Sequence, residues 1–138
     1  MVHVAIIGTG DFAYGLAHLF KIHNSPYSGN ELEVTKPNLN KEGTFHDTRI
    51  PLTNFDDALI RADVLILAIP GSAIKSFVSR HLGKLKSKIL VDVANSDHED
   101  VELEKYNFDL QKIHWVKAFN DVGAIEMLLH KPSKSNAS

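Results

Sequence analysis

The sequence predicts a doubly wound α/β fold, in which a mainly parallel sheet carries helices on both faces. Short apolar stretches of strand length alternate with stretches whose apolar residues recur at helical spacing. Residues 64–70 are apolar throughout, which is typical of a strand buried on both faces of a parallel sheet. The first apolar stretch ends in a glycine turn that opens a helical stretch, and such strand–helix alternation implies right-handed crossovers.

Composition indicates one ordinary globular domain. The chain has 138 residues, of which 43% are hydrophobic and 23% charged. We expect the domain to occupy residues 1–130 and a polar tail to occupy residues 131–138. The absence of cysteine excludes disulfides, thiolate zinc sites and thiol catalysis. The net charge of −2 gives no electrostatic reason to expect nucleic acid or an anionic membrane as partner. No apolar run approaches the roughly 20 residues of a membrane span, so we expect a soluble, cytoplasmic protein.

The predicted elements alternate along the chain. Residues 36–47 are polar and predict a loop, and residues 101–111 predict a partly helical stretch. Strands are predicted at residues 2–7, 31–35, 62–69, 88–93 and 113–118, with a short strand at 48–52. Helices are predicted at residues 11–23, 54–61, from 71 onward, and at 120–129.

The glycine turn carries the clearest functional pattern. Gly8, Gly10 and Ala13 fit the dinucleotide-binding spacing G-x-G-x-x-A. Gly8 allows a tight turn out of the strand, and Gly10 lets the backbone approach a pyrophosphate. Ala13 is small enough for the helix to pack closely on the strand. The positive end of the helix then faces the phosphates.

The end of the second strand indicates which dinucleotide is preferred. An acidic residue there would bind the ribose 2′-hydroxyl of NAD. This sequence instead has Thr35 and Lys36. A hydroxyl and a cation suit a 2′-phosphate, so the pair favours NADP over NAD. The alternative is that Lys36 is a solvated loop residue.

Other chemistries find little support in the sequence. Eight histidines are scattered without H-x-x-x-H or H-E-x-x-H spacing. The acidic run at residues 97–100 is better explained as a helix cap than as a metal site. Neither Asp63 nor Asp92 has a visible serine–histidine partner for hydrolysis. We therefore predict no metal site and no serine–histidine–aspartate triad.

Four stretches together resemble one known family. They are A-I-I-G-T-G-D-F-A-Y-G-L-A, A-D-V-L-I-L-A-I-P, I-L-V-D-V-A-N-S, and V-K-A-F-N at residues 116–120. Their order and spacing resemble the NADP-binding domain shared by deazaflavin-coenzyme-dependent NADP reductases and STEAP metalloreductases. The G-D-F-A and V-D-V-A-N forms look closer to the STEAP side. The resemblance covers residues 2–122. The family's domain continues where this sequence ends in its tail, so the sequence resembles a C-terminally shortened form.

The resemblance implies a Rossmann-like fold and a set of coenzyme-binding residues. Thr35 and Lys36 occupy the place of the family's Ser-Arg pair, with lysine supplying a point charge instead of a planar fork. Hydride passes between two cofactors in this family, so the protein supplies orientation rather than an acid or a base. The implied residues are Thr9, Gly10, Asp11 and Phe12 around the pyrophosphate, Ala68, Ile69 and Pro70 beside the nicotinamide ribose, and Asn95, Lys117, Ala118, Phe119 and Asn120 around the hydride-transfer pocket.

The sequence thus predicts an NADP(H)-dependent oxidoreductase domain that passes hydride between NADPH and a flavin-type or metal-linked acceptor. FAD, FMN or a deazaflavin is the second cofactor that the resemblance implies. Either a homo-oligomer or a separate electron-accepting partner would complete the reaction. Two alternatives stay open: a non-catalytic NADP(H)-binding sensor or interaction module, and half of an imino-acid reductase.

Overall fold

The computed structural model describes residues 2–23, 31–93, 108 and 111–118. Two predicted segments, the helix at 120–129 and the tail at 131–138, lie outside these residues, as does most of the stretch at 101–111. No helix in the described part of the chain is both long and apolar enough to span a membrane.

The described elements confirm the doubly wound α/β fold. In chain order they are β1 (His3–Ile7), α1 (Asp11–His23), β2 (Glu31–Thr35), β3 (Gly43–Thr44), β4 (Pro51–Leu52), α2 (Phe55–Arg61), β5 (Val64–Leu67), α3 (Gly71–His81), a 3₁₀ turn (Leu82–Lys84), β6 (Ile89–Asp92) and β7 (His114–Lys117).

The strands form one sheet in the order β3-β4-β2-β1-β5-β6-β7. Every neighbouring pair is parallel except β3 with β4, which is antiparallel. The chain leaves β1 toward β2 on one side and later returns to β5 on the other. Such a reversal is where open α/β sheets bind ligands, outside the carboxyl ends of the strands.

Alternating strand residues build two cores, one on each face of the sheet. One core joins Ala5, Ile7 and Leu65 to α2 and α3 through buried residues that include Leu59 and Ile74. The other core packs α1 against the opposite face, and its buried members include Ile6, Leu16, Ala17, Val34 and Ile66. These contacts confirm that β5 is buried on both faces and that helices cover both sides.

The segment between β2 and α2 differs from its prediction. The predicted short strand at 48–52 is present as Pro51–Leu52, but the predicted loop at 36–47 contains the strand Gly43–Thr44, and the two strands pair as a short hairpin. Phe45 and Ile50 are buried beside the α1 core, which holds this polar segment against the domain. Asn54 caps α2 by accepting a hydrogen bond from the Asp56 N–H at 3.0 Å. The helix therefore begins at Phe55, one residue after the predicted start.

Candidate dinucleotide-binding site

The carboxyl end of β1 is closed tightly by its two neighbouring strands. The Gly8 N–H donates to the Thr35 carbonyl at 2.6 Å. Gly8 has φ of 134°, and a Cβ placed on it would lie 2.2 Å from the Ala68 carbonyl oxygen. Only glycine can occupy this position without displacing backbone. Gly8 is therefore a requirement of the fold.

Gly10 stands in a different environment. Its φ lies outside the positive region, and a Cβ placed on it would meet nothing within 4 Å. The residue is exposed at the point where α1 begins, and its carbonyl accepts the Tyr14 N–H at 3.0 Å. Ala13 is fully buried and brings α1 close to the sheet. The fold itself therefore does not require glycine at position 10, and the space in front of Gly10 is open.

A cleft of about 290 Å³ opens from Gly10 toward β5 and β6. The helix α3 begins beside it at Gly71, and the Pro70 N-cap supplies no side-chain hydrogen bond. The amino ends of α1 and α3 therefore both open on this cleft, where unpaired amides and helix dipoles favour negative charge. Its walls are mainly apolar and consist of Gly10, Asp11, Phe12, Ala68, Ile69, Pro70, Gly71 and Val93.

A second cleft, of about 400 Å³, opens from the same loop toward the β2 side. Its lining is polar and aromatic, and one part comes from the tip of the β3–β4 hairpin. The lining residues are Thr9, Gly10, Asp11, Tyr14, His46 and Asp47. Gly10 and Asp11 thus lie between two clefts that together run across the carboxyl edge of the sheet.

Thr35 and Lys36, at the end of β2, lie in different environments. Thr35 is fully buried, and its hydroxyl donates to the Thr53 carbonyl at 2.8 Å. This hydrogen bond holds the segment after β4, so the Thr35 hydroxyl does not face solvent. Lys36 is exposed. Of the two residues expected to hold a 2′-phosphate, only Lys36 has a side chain at the surface.

The other predicted residues fall into two groups. Lys117 and Ala118 lie half-buried at the carboxyl end of β7, where the Ala118 N–H donates to the Asp92 carbonyl at 2.9 Å. They belong to the same edge of the sheet as the clefts. Asn95, Phe119 and Asn120 lie outside the described residues. Within the part of the chain that is described, no three histidine or acidic side chains are grouped to hold a metal ion.

Sequence reasoning missed the contact between α1 and the hairpin tip. The Tyr14 hydroxyl donates to Asp47 Oδ1 at 2.6 Å, and His18 Nε2 lies 3.9 Å from the same oxygen. The hydrogen bond to Asp47 raises the pKa of Tyr14 and lowers the pKa of the Asp47 carboxyl. Tyr14 directly follows the glycine motif, and this position is the one feature of the sequence that could have indicated that Tyr14 lies beside the site. Nothing in the sequence indicated Asp47, which is distant along the chain.

The sheet order and the glycine loop define a Rossmann-like α/β fold of the dinucleotide-binding type. The model of the family described as NADP oxidoreductase, coenzyme F420-dependent, matches residues 3–96, so the chain belongs to that family. No curated protein sequence matches the chain at a significant level.

Solved structures share the fold at low sequence identity. An imine reductase from Myxococcus stipitatus in complex with NADP⁺ aligns with a TM-score of 0.60 and 16% identity over 83% of this chain and 39% of its own. A 3-hydroxyisobutyrate dehydrogenase from Mycobacterium tuberculosis with L-serine gives 0.64 and 13% over 86% and 40%. A pyrroline carboxylate reductase from Plasmodium falciparum with NADP bound gives 0.52 and 14% over 84% and 58%. The chain therefore spans about 40% of the length of the first two proteins.

Proposed function

We propose that this chain binds NADP(H) across the glycine loop and serves an oxidoreductase that passes hydride between NADPH and a flavin-type or metal-linked acceptor. Residues 1–130 are the coenzyme-binding domain in this proposal, and residues 131–138 are a polar tail. The observation that carries the proposal is that Gly10, where neither a positive φ nor a neighbouring atom within 4 Å demands glycine, lies at the start of α1 on the lining of both clefts. A missing Cβ that the fold does not need is what a closely approaching ligand needs.

The pyrophosphate is assigned to the loop between the two clefts. The backbone N–H groups of Thr9, Gly10, Asp11 and Phe12 would face it, together with the positive end of α1. The open start of α3 at Gly71 adds a second positive helix end to the same cleft. These features suit a charged, phosphate-bearing ligand.

Lys36 is the residue proposed to prefer NADP(H) over NAD(H). It is exposed directly after β2, where Rossmann-like folds recognise the adenosine ribose. Its ammonium would attract the 2′-phosphate as a point charge. Thr35 serves this site indirectly in the proposal, because its hydroxyl holds the Thr53 carbonyl and so fixes the end of β2.

The nicotinamide side is assigned to the apolar cleft. Ala68, Ile69 and Pro70 would lie beside the nicotinamide ribose, while Phe12 and Val93 line the same walls and would shield the bound ring from water. Bound NADPH supplies the hydride, and the chain's residues orient it. The outer border of this side is proposed to come from Asn95, Lys117, Ala118, Phe119 and Asn120.

The acceptor is proposed from the family resemblance. Membership of the F420-dependent family is consistent with a deazaflavin or a flavin such as FAD or FMN as hydride acceptor. The V-D-V-A-N and V-K-A-F-N stretches resemble the STEAP metalloreductases, which favours an acceptor linked to ferric or cupric ions. A second copy of the chain or a separate electron-accepting partner would supply the surfaces that complete this pocket.

The binding step is tested by fluorescence titration of the chain with NADPH. Wild type is expected to bind NADPH more tightly than NADH, and Gly10→Val is expected to lose at least about tenfold in affinity because its side chain fills the phosphate space. Gly83→Val is the matched control, since Gly83 is also exposed and a Cβ placed on it also meets nothing within 4 Å. Unchanged binding by Gly10→Val would contradict the assignment, and equal affinities for the two coenzymes would remove Lys36 from it.

Turnover separates an enzyme from a binding module. The oxidoreductase predicts NADPH oxidation when a flavin and a ferric chelate are added, at a rate above that with flavin alone. NADPH binding without this turnover would instead favour the non-catalytic NADP(H)-binding module.

A further inference from the structure

The tip of the β3–β4 hairpin is a fixed structure. The Phe45 N–H donates to the Ile50 carbonyl at 2.8 Å, and the Thr48 hydroxyl bonds the Phe45 carbonyl. Thr48 also accepts the Ile50 N–H at 3.1 Å and is 1% exposed. The buried Phe45, Thr48 and Ile50 therefore anchor the tip from beneath. The intervening residues His46 and Asp47 are left exposed above this anchor.

The exposed side of the tip faces the second cleft. His46 adopts φ of 49°, a left-handed conformation that is uncommon outside glycine. The ring centroids of His46 and Tyr14 lie 5.5 Å apart in an edge-on arrangement. Asp47 is held by Tyr14 at 2.6 Å. The tip thus presents an aromatic edge and an oriented carboxylate to a cleft that begins at Gly10.

We propose that this tip is the adenosine wall of the coenzyme site, in which Asp47 accepts a hydrogen bond from a ribose hydroxyl and His46 contacts the adenine. The inference rests on the proposed function, since it requires a dinucleotide across Gly10. The donated Tyr14 proton occupies one carboxylate oxygen, and the other oxygen keeps lone pairs for the sugar. The Asp47 side chain is 75% exposed, so an incoming ligand can reach it.

Asp47 and Lys36 then act in opposite directions on coenzyme choice. A carboxylate binds an unmodified ribose and repels a 2′-phosphate, whereas an ammonium attracts the phosphate. Asp47 would therefore reduce the preference for NADP(H) that Lys36 provides, and the chain would keep measurable affinity for NAD(H). Asp47 is a specificity-determining residue in this arrangement, and Tyr14 is the residue that positions it.

The test compares NADH and NADPH affinities of wild type and Asp47→Asn. The variant is expected to lose roughly tenfold in NADH affinity, as for a lost hydrogen bond to a charged group, while NADPH binding stays the same or tightens. Tyr14→Phe should move the ratio of the two affinities in the same direction by a smaller factor. His46→Ala should weaken both coenzymes by equal factors, because adenine is common to them.

Asp57→Asn is the matched control, since Asp57 is exposed on α2 and lines neither cleft. An Asp47→Asn variant that binds both coenzymes as wild type does would overturn the inference and leave the proposed function standing. Equal weakening of both coenzymes by Asp47→Asn would also overturn it, because the residue would then only support the tip. Failure of wild type to bind either coenzyme would overturn the proposed function, and this inference with it.

Discussion

Gly8 and Gly10 lie two positions apart and serve different purposes. Gly8 is demanded by the fold, because its φ of 134° and the Ala68 carbonyl oxygen leave no room for a Cβ. Gly10 has neither constraint. Glycine loses more backbone entropy on folding than other residues, and the folded chain alone does not explain why glycine occupies this position. Substitution of Gly8 should therefore lower the stability of the fold, whereas substitution of Gly10 should lower the affinity for the ligand.

Substituting Gly8 should damage the fold. Gly8→Ala is expected to lower the free energy of unfolding by about 2–4 kcal/mol, since a positive φ and a clash with backbone act together. Urea unfolding followed by circular dichroism measures this change. Gly83→Ala, in the 3₁₀ turn, should change stability by no more than about 1 kcal/mol. If Gly8→Ala cost as little stability as Gly83→Ala, the backbone at Ala68 could move away from residue 8 without cost, and the fold would not require glycine there.

The sequence identifies candidate site residues whose neighbours are local, and it does not identify those whose position depends on distant contacts. Gly8, Gly10 and Ala13 follow from spacing alone, because a strand, a turn and a helix constrain one another within a few residues. The burial of Thr35 could not be predicted, since its partner Thr53 comes from another strand end. The Tyr14–Asp47 contact depends on a hairpin that the polar sequence of residues 36–47 does not predict.

Glu33 joins β1, β2 and α2 through one buried carboxylate. It is 3% exposed and receives two hydrogen bonds from Arg61, at 2.7 and 3.3 Å, and further bonds from Thr53 and His3. Burial alone would raise its pKa, but the bonds from Arg61, Thr53 and His3 outweigh this and hold the pKa of Glu33 below its usual value. The carboxylate is therefore expected to stabilise the junction only while it is ionised.

Glu33→Gln is expected to lower the free energy of unfolding by about 1–3 kcal/mol at neutral pH, because charge-assisted bonds are lost. A lowered folded-state pKa means that the unfolded state takes up the proton first. The contribution is thus complete above the ordinary glutamate pKa of about 4.3 and disappears as pH falls through the folded-state value. Denaturant unfolding from pH 7 to pH 3 should show the gap between wild type and variant closing below about pH 4.

Glu42→Gln provides the comparison for that experiment, because Glu42 is exposed between β2 and β3. Its effect should stay within about 0.5 kcal/mol at every pH. A gap between wild type and Glu33→Gln that stays constant down to pH 3 would show that the charge of Glu33 does not support the junction.

Elements with strong periodicity were predicted to within a few residues, and the hairpin was not. The helix α1 and strand β2 have the predicted bounds, since their apolar spacing is regular and they end at turn-forming residues. The strands β3 and β4 contain two residues each, too few to show a period. They are held by Phe45 and Ile50 in the α1 core, which is a tertiary effect.

One sheet separates two hydrophobic cores that share its strands. Leu16 of α1 is 1% exposed in one core, and Leu59 of α2 is fully buried in the other. Adjacent residues of β5, such as Leu65 and Ile66, belong to opposite cores. A loss of order on one face therefore removes the support of the strands on the other face, and we expect the described domain to unfold as one unit.

Trp115 in β7 allows this cooperativity to be tested from the far side of the sheet. It is the only tryptophan and packs against the core that contains Leu59, opposite to Leu16. Leu16→Ala is expected to cost about 2–5 kcal/mol. The urea midpoint reported by Trp115 fluorescence should then fall together with the midpoint reported by far-ultraviolet circular dichroism, and Leu59→Ala should give the same coincidence. If Leu16→Ala lowered the dichroism midpoint but left the Trp115 midpoint unchanged, the two faces would be independent units, and ligand binding at their common edge would have to order them separately.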